Sequence, residues 1–349
     1  MLAPEIFAKK VADSNPAIMS AFDNMQLNRD SIARSGKWPE WAALPGNAIV
    51  GGMEAAIKSS LPRDLSLAPH AVEAYLWLKS KQIFAFDETL EKELIAQEFS
   101  GDIPGEVLYR MPVPCVYVQL HADSRIFSAD TITDGFFAWM EFDPNMNAPF
   151  LSVTALTAEG TLQAAIMCHM LGTIEESLNA FTSHASKVMK DPRVKGSDLE
   201  RLMSRSLNSA AMARDAEILK KVFNLLLYLC TDEPDYDNQP RRVKAKPTYT
   251  TYTPERPPCR TNITNVGTRI GAAIRLDRQK AKELNDEAEQ QSEHRKHASP
   301  IAHIRRGHYH SFWTGAKESV DRKIVVKWLP PMLINGDKGE ISPTIRPVK

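Results

Sequence analysis

Two neighbouring stretches, DGFFAWMEFD (residues 134–143) and APFLSVTALT (residues 148–157), decide the fold class. Both are short apolar runs bounded by Asp, Asn, Pro or Gly, a pattern that is typical of β-strands. VLYRMPVPCVYVQL (107–120) before them and LQAAIMCHML (162–171) after them have the same character. Because no crossover helix fits between most of these runs, they predict a largely antiparallel sheet.

Helical spacing of apolar residues dominates the segments on either side of this sheet. Residues 1–100 are predicted to be mainly helical, and two helices are expected within residues 173–231. Ser197 and Glu200 have the spacing of a capping box at the start of the second of these helices. The predicted fold class is therefore α+β: a mainly helical N-terminal region, an antiparallel sheet with flanking helices, and a small basic α+β C-terminal region.

Charge and proline content divide the chain further. Residues 1–235 contain 21 Lys and Arg against 31 Asp and Glu, whereas residues 236–349 contain 22 against 12. We expect an acidic α+β body over 1–235, with helices at about 1–100, strands at about 106–170 and helices at about 173–231. A proline-rich connector over 232–262 and a basic C-terminal region over 263–349 follow. In the basic region, VGTRIGAAIRL (266–276) and DRKIVVKWLPPMLING (321–336) are predicted strands, and Pro330 and Pro331 are expected to stop the second. A polar helix or flexible arm and a histidine-containing stretch lie between them.

Several classes of protein are disfavoured by what the sequence lacks. The four cysteines form no CxxC pair, so neither a zinc knuckle nor a disulfide framework is indicated. The chain contains no Walker, HExxH or GxSxG motif, and no cofactor is expected. It also has no secretory leader and no apolar run long enough for a membrane span, which predicts a soluble, cytoplasmic protein without a membrane partner.

The stretch HIRRGHYHSFWTG (303–315) is the most unusual part of the chain. His308 and His310 would lie side by side on an extended strand, but no third ligand for a metal lies near them in the sequence. Two imidazoles and a guanidinium can also cleave RNA without a metal, and His308, His310 and Arg306 would then be the catalytic residues. Alternation would place Ile304, Arg306, His308, His310 and Phe312 on one face, and His303, Arg305, Tyr309 and Trp313 on the other.

Nucleic-acid binding is the reading that the local composition favours over catalysis. Cationic side chains would contact phosphates, and the aromatic rings would stack on unpaired bases. In the opposing interpretation, Trp313 and Trp328 are core residues of a small sheet. The predicted nucleic-acid-binding residues are His303, Arg305, Arg306, His308, Tyr309, His310, Trp313, Arg322, Lys323 and Lys327.

These C-terminal runs also carry a family resemblance. HIRRGHYHSFWTG (303–315), RKIVVKWLPPMLIN (322–335) and the upstream VGTRIGAAIR (266–275) resemble the signature of a phage- and plasmid-encoded type V-A anti-CRISPR family, mainly over residues 266–335. The resemblance implies a binding protein that recognises the N-terminal nascent peptide of the effector nuclease during translation and causes loss of its mRNA. Its implied partners are that peptide and the ribosome or mRNA, and the mRNA is lost either through this chain itself or through a recruited host nuclease.

The resemblance does not identify the peptide-contacting residues. A body with several strands can receive an extended peptide at a free sheet edge, and an acidic body suits a peptide that contains lysine. A non-enzymatic inhibitor is therefore the favoured hypothesis. A metal-independent ribonuclease using His308 and His310, and a mobile-element RNA-binding or structural protein, remain the alternatives.

Overall fold

The computed structural model describes residues 1–29, 38–44, 58, 66–98, 103–143, 146–181, 209–238, 260–291, 302–316 and 323–335. Its helices are α1 (Ala3–Ser14), α2 (Pro16–Leu27), α3 (Ala71–Ser80), α4 (Glu88–Ile95), α5 (Ser209–Leu229) and α6 (Thr268–Gln291), with 3-10 turns at Ala68–His70 and Gly105–Arg110. Its strands are β1 (Gln82–Phe86), β2 (Cys115–Gln119), β3 (Gly135–Asp143), β4 (Ala148–Leu156), β5 (Leu162–His169), β6 (Asn262–Val266), β7 (His303–Arg305), β8 (His308–Thr314), β9 (Lys323–Leu329) and β10 (Met332–Ile334).

Six strands form one central sheet in the order β5-β4-β3-β2-β1-β6. The pairs from β5 to β2 are antiparallel, whereas β1 is parallel to both β2 and β6. The predicted α+β class, with a mostly antiparallel sheet and helices at the N-terminus, is confirmed.

Helices cover both faces of this sheet, which explains the unbroken apolar run in β3. Phe136 and Met140 point into a core shared with α4 and α5. Phe137 and Trp139, one position along, point into a second core built with α1, α2 and α3. A strand that is buried on both faces needs apolar residues at every position, so its sequence does not alternate.

The strand β1 was missed by the prediction of helices over residues 1–100. Helix α3 ends at Ser80, and the capping residue after it, Lys81, has a left-handed backbone (φ 46°) and donates its N–H to the carbonyl of Trp77. Asp87 then caps α4, because its Oδ1 accepts the N–H groups of Thr89 and Leu90. A five-residue strand fits between these two helix boundaries.

The predicted strand at 266–276 was also wrong. The strand β6 ends at Val266, Gly267 turns the chain with a φ of 79°, and α6 follows. Asp235 caps α6, since its Oδ2 accepts the N–H groups of Arg269 and Ile270 at 2.9 and 3.1 Å. The segment from Thr268 to Leu276 is therefore the start of a helix and not a strand.

Two further runs that predict strands differ from the structure in part. In the 107–120 run, Gly105–Arg110 is a 3-10 turn, and only Cys115–Gln119 is a strand. In the run at 321–336, β9 ends at Leu329, directly before Pro330 and Pro331, as the sequence predicts, because proline has no N–H group for a strand ladder. The short strand β10 after the two prolines was not expected.

Some expectations lie wholly or partly outside the described residues. Residues 174–181 are helical and belong to the first of the two helices expected within 173–231. The rest of that helix, the Ser197–Glu200 capping box and most of the connector lie outside the described residues. The polar helix is present as far as Gln291. The division into body, connector and basic region stays a prediction.

Phe137 tests the second core directly. Its ring lies 4.8 Å from that of Tyr117 and 5.6 Å from that of Phe7, and its side chain is fully buried. We expect Phe137→Ala to lower the free energy of unfolding by about 3–5 kcal/mol, because it leaves a cavity between the sheet and the helices. Phe312→Ala, the same change at an exposed position, should cost less than about 1 kcal/mol. Denaturant unfolding of both variants checks this, and equal losses would contradict it.

Candidate functional site

The histidine-containing stretch is divided between two small sheets. Strand β7 pairs with β10, and β8 pairs with β9, all antiparallel. Arg306 and Gly307 form the break between β7 and β8, opposite the Pro330–Pro331 break between β9 and β10. A Cβ at Gly307 would lie 2.8 Å from Cζ2 of Trp328 and 3.0 Å from the carbonyl oxygen of Leu329, so glycine is required there.

One face of the β8–β9 hairpin is docked on the main core. Tyr309, Ile324, Val326 and Trp328 are buried there with residues of α5. The Tyr309 hydroxyl donates to the carbonyl of Asn224, and Trp328 Nε1 donates to Oε1 of Gln97 at 2.8 Å.

The buried position of Tyr309 corrects one expectation. Tyr309 is only 4% exposed. Because a buried ring cannot stack on a base, the prediction that Tyr309 binds nucleic acid in this way disagrees with the structure. The ring of Trp328 lies 5.7 Å from that of Tyr228, nearly perpendicular to it. For Trp328, the interpretation as a core residue therefore agrees with the structure, whereas Trp313 is 52% exposed.

The opposite face of the hairpin faces outward, and we call it the outer hairpin face. His310 lies opposite Lys327 in the ladder, and its ring centroid is 5.9 Å from that of Phe312. The Nζ of Lys327 lies 6.0 Å from the centroid of the Phe312 ring. An imidazole, an ammonium and a phenyl ring thus share one surface. The face consists of His308, His310 and Phe312 on β8 and Val325, Lys327 and Leu329 on β9.

The other predicted residues lie around this face. His303 and Arg305 are exposed on β7, and Arg306 is exposed in the break. Of the three residues of the ribonuclease hypothesis, His308 and His310 therefore share a strand, whereas Arg306 does not. Arg322 and the side chain of Lys323 lie outside the described part of the chain. Within the described ranges, no three His, Cys, Asp or Glu residues are grouped as a metal site would require.

A second candidate lies where the parallel strands end. The cleft has a volume of about 530 Å³ and is bordered by residues that follow β1, β2 and β6. Ligands of α/β proteins commonly bind at the carboxyl ends of parallel strands. The polar residues that line the cleft are Asp87, Gln119, His121, Asp237, Asn265 and Thr268.

The carboxylates of this cleft are held by hydrogen bonds. Asp87 accepts from Arg275 Nη1 at 2.9 and 3.0 Å, and Asp237 accepts from the Thr268 hydroxyl at 2.9 Å. His121 Nε2 lies 2.8 Å from the carbonyl oxygen of Phe86. These contacts fix the positions of the polar side chains at the cleft's rim.

Glu91 lies beneath the rim and is 1% exposed. Its two oxygens lie 3.3 Å from the backbone nitrogen of His121, which donates to them, and it also accepts from the Ser124 hydroxyl. Burial raises the pKa of Glu91, with the Ser124 hydrogen bond acting in the opposite direction. A buried carboxyl beneath a polar cleft connects α4 to the loop after β2.

Sequence reasoning missed this cleft because it missed β1 and β6. One local signal was present: the apolar run QIFAF is followed by Asp87, a helix-capping residue type. His121 belongs to no sequence motif that would mark it as part of a site.

Similarity to known proteins was found at two levels. The model of the AcrVA2-like family, described as the Anti-CRISPR type V subtype A2 family, matches residues 84–336. The chain belongs to the AcrVA2-like family. The match begins well before residue 266, so the family resemblance extends through the sheet and both candidate sites. As a member, the protein has the anti-CRISPR function of that family in its general form and acts against a type V-A CRISPR system.

A solved structure supports the same fold. The chain is similar to a protein whose structure is titled "Crystal structure of AcrVA2", with a TM-score of 0.56 and 18% sequence identity. The alignment covers 94% of this chain and 97% of that one. A comparison with curated proteins gives no match. Among the described residues, none of the helices has the length and apolar character needed to cross a bilayer.

Tyr309 and Trp313 should respond differently to truncation. Tyr309→Ala removes a buried ring and leaves the Asn224 carbonyl without its hydroxyl donor, so we expect a loss of about 3–5 kcal/mol. Trp313→Ala, at an exposed position on the same strand, should change stability by less than about 1 kcal/mol. Thermal unfolding distinguishes the two, and a stable Tyr309→Ala variant would contradict the docked hairpin.

The raised pKa of Glu91 predicts a pH dependence of stability. The folded chain retains the Glu91 proton at pH values where the unfolded chain has lost it, so stability falls as the pH rises above the ordinary glutamate value of 4.5. Glu91→Gln should remove this part of the decrease. A Glu91→Gln variant whose stability still falls over the same pH range as that of the unaltered chain would contradict the assignment.

Proposed function

We propose that the protein recognises the N-terminal nascent peptide of a type V-A CRISPR effector nuclease during translation in the cytoplasm and brings about loss of the encoding mRNA. In this proposal, the outer hairpin face contacts RNA or the ribosome, and the sheet-bearing body holds the peptide. Loss of the message follows from recruitment of a host nuclease. The proposal rests on membership of an anti-CRISPR family and on the two differently charged surfaces of the chain.

The outer hairpin face is the observation that carries the RNA part of the proposal. The opposite, buried face of the β8–β9 hairpin is fixed to the core by Tyr309 and Trp328, so the outward side chains are held on a rigid support. His310, Phe312 and Lys327 combine a cation with flat rings, which suits phosphates and unpaired bases. Arg305 and Arg306 are exposed beside them and extend the positive surface.

Charge also supports assigning the peptide to the body. No Lys or Arg occurs between Arg125 and Phe181, the segment that contains β3, β4 and β5, whereas Asp and Glu occur there seven times. A peptide with lysine side chains would be attracted to this segment, and RNA would be repelled by it. The two contacts therefore belong on different surfaces.

A pull-down from a translating lysate tests the proposal, with bound RNA and bound peptide both identified. The double variant His310→Ala/Lys327→Ala should retain peptide binding but associate about tenfold more weakly with RNA or ribosomes, with a smaller dependence on salt. Lys10→Ala, an exposed charge removed on α1, is the control and should behave as the unaltered chain.

The outcomes separate the competing functions. Capture of neither ribosomes nor the effector N-terminal peptide by the unaltered chain would end the proposal. Cleavage of the message by the purified chain alone, lost in His308→Ala with RNA binding retained, would indicate a metal-independent ribonuclease instead. Equal loss of melting temperature and function in Arg305→Ala or Arg306→Ala would favour a structural role for the motif.

A further inference from the structure

Strand β5 is one of the two edges of the central sheet. Its inner side pairs with β4 from Phe150↔His169 to Leu156↔Leu162, with a bulge near its start. Its outer side carries the backbone groups that β4 does not use. An edge of this kind is a template on which another extended chain can pair.

The register identifies which residues of β5 point their backbone groups outward. Met170 donates its N–H to the carbonyl of Pro149, which fixes the hydrogen-bonded pairs at Cys168↔Leu151 and Ile166↔Val153. The alternate residues Ala165, Met167 and His169 therefore direct their N–H and C=O groups away from β4. In the described part of the chain, no other backbone group bonds to them at this edge.

The other edge, β6, is covered differently. Tyr236 forms a bridge with Val266, and Asp237 donates its N–H to the carbonyl of Asn265. The segment around residues 236–238 thus occupies the outer side of β6. Of the two edges, β5 is the one without such a segment among the described residues.

The side chains of β5 do not protect it from pairing. Exposed edge strands in natural proteins usually carry a lysine, a proline or another charged residue that blocks association. Apart from the bulge, LQAAIMCH (162–169) has none of these features. Such an uncharged edge is typical of a strand that receives a partner.

The surroundings of the edge are apolar and exposed. Met167 is 57% exposed, and Leu162 and Leu171 at the two ends of the strand are 40% and 39% exposed. Ile132, 49% exposed, lies close by, because Gln163 contacts Thr131 and Thr133 on either side of it. An apolar surface beside unpaired backbone groups fits an extended peptide with apolar side chains at alternate positions.

Charge specifies the occupant further. Exposed carboxylates lie at the ends of β5 and in the neighbouring loop. No Lys or Arg occurs between Arg125 and Phe181, the segment that contains β5. A peptide that combines apolar side chains with lysine or arginine is complementary to such a surface, whereas a second copy of the same acidic edge is not. The exposed carboxylates are Asp130, Glu159, Glu175 and Glu176.

We infer that the outer edge of β5 is the peptide-binding site, and that it adds a basic, apolar peptide as a seventh strand of the sheet. The inference rests on the proposed function and assigns its peptide contact to Ala165, Met167 and His169. Backbone hydrogen bonds supply affinity, and contacts with Met167 and Ile132 select the alternate side chains.

The test uses the full chain and a synthetic peptide with the N-terminal sequence of a type V-A effector nuclease. Ala165→Pro removes an outward N–H that β4 does not use, so the fold should survive while the affinity for the peptide falls about tenfold. Met167→Lys should lower the affinity as much as Ala165→Pro does, because the added lysine repels the basic peptide. Met167→Glu should bind the peptide more tightly than Met167→Lys. Ile263→Lys, which changes an exposed aliphatic residue of the other edge strand, is the matched control and should bind normally.

Hydrogen exchange supplies a second measurement. Peptide binding should slow exchange of the amides of Ala165, Met167 and His169, which β4 leaves unbonded. Binding by the unaltered chain that none of the β5 variants changes would overturn this site and leave the proposed function standing. No binding by the unaltered chain would overturn both. A dimer that Ala165→Pro separates, with unchanged peptide affinity, would show that the edge joins two copies instead.

Discussion

The parallel pairing of β6 with β1 is the contact on which the rest of the structure depends. Gln82 and Asn262 lie 180 positions apart, and Nδ2 of Asn262 donates to Oε1 of Gln82 at 2.8 Å. Nε2 of Gln82 also donates to the Thr264 hydroxyl at 3.0 Å. Buried amides must find hydrogen-bond partners, so this network favours one register of the two strands. It joins the C-terminal part of the chain to the sheet.

The position of α6 follows from that pairing. A Cβ at Gly271 would lie 1.9 Å from Oδ1 of Asp87, so α6 can approach the start of α4 only where it carries glycine. Arg275, one turn further along α6, then reaches the Asp87 carboxylate. The cleft at the strand ends combines residues from two segments that are distant in the sequence, 85–122 and 237–268.

The two surfaces proposed as binding sites share one core. Ile166 and Cys168 of β5 belong to the same apolar cluster as Tyr309 and Trp328 of the hairpin. Each strand therefore has one side committed to packing and another available to a partner. In β5 the available side is the backbone edge, which suits an extended peptide, whereas in the hairpin it is a face of side chains, which suits RNA.

Local patterns predicted the elements that neighbouring residues stabilise. Strands β3, β4 and β5 were predictable because each is an apolar run between turn residues, and sequence neighbours pair with each other as hairpins. Strands β1 and β6 were missed, since each has only five residues, adjoins a helix, and gains its stability from pairing with distant parts of the chain. The helix at residues 268–276 was mistaken for a strand because its cap, Asp235, lies far from it in the sequence.

The histidine stretch separates what the sequence determined from what packing decided. The sequence determined that Tyr309 and His310 lie on opposite faces of a strand, because side chains alternate in any extended backbone. Only the tertiary structure decided which face is buried, since that depends on the Asn224 carbonyl and the Gln97 amide, contributed by distant segments. Similarly, the sequence determined that β5 is uncharged, but its place at the edge of the sheet depends on how all six strands are ordered.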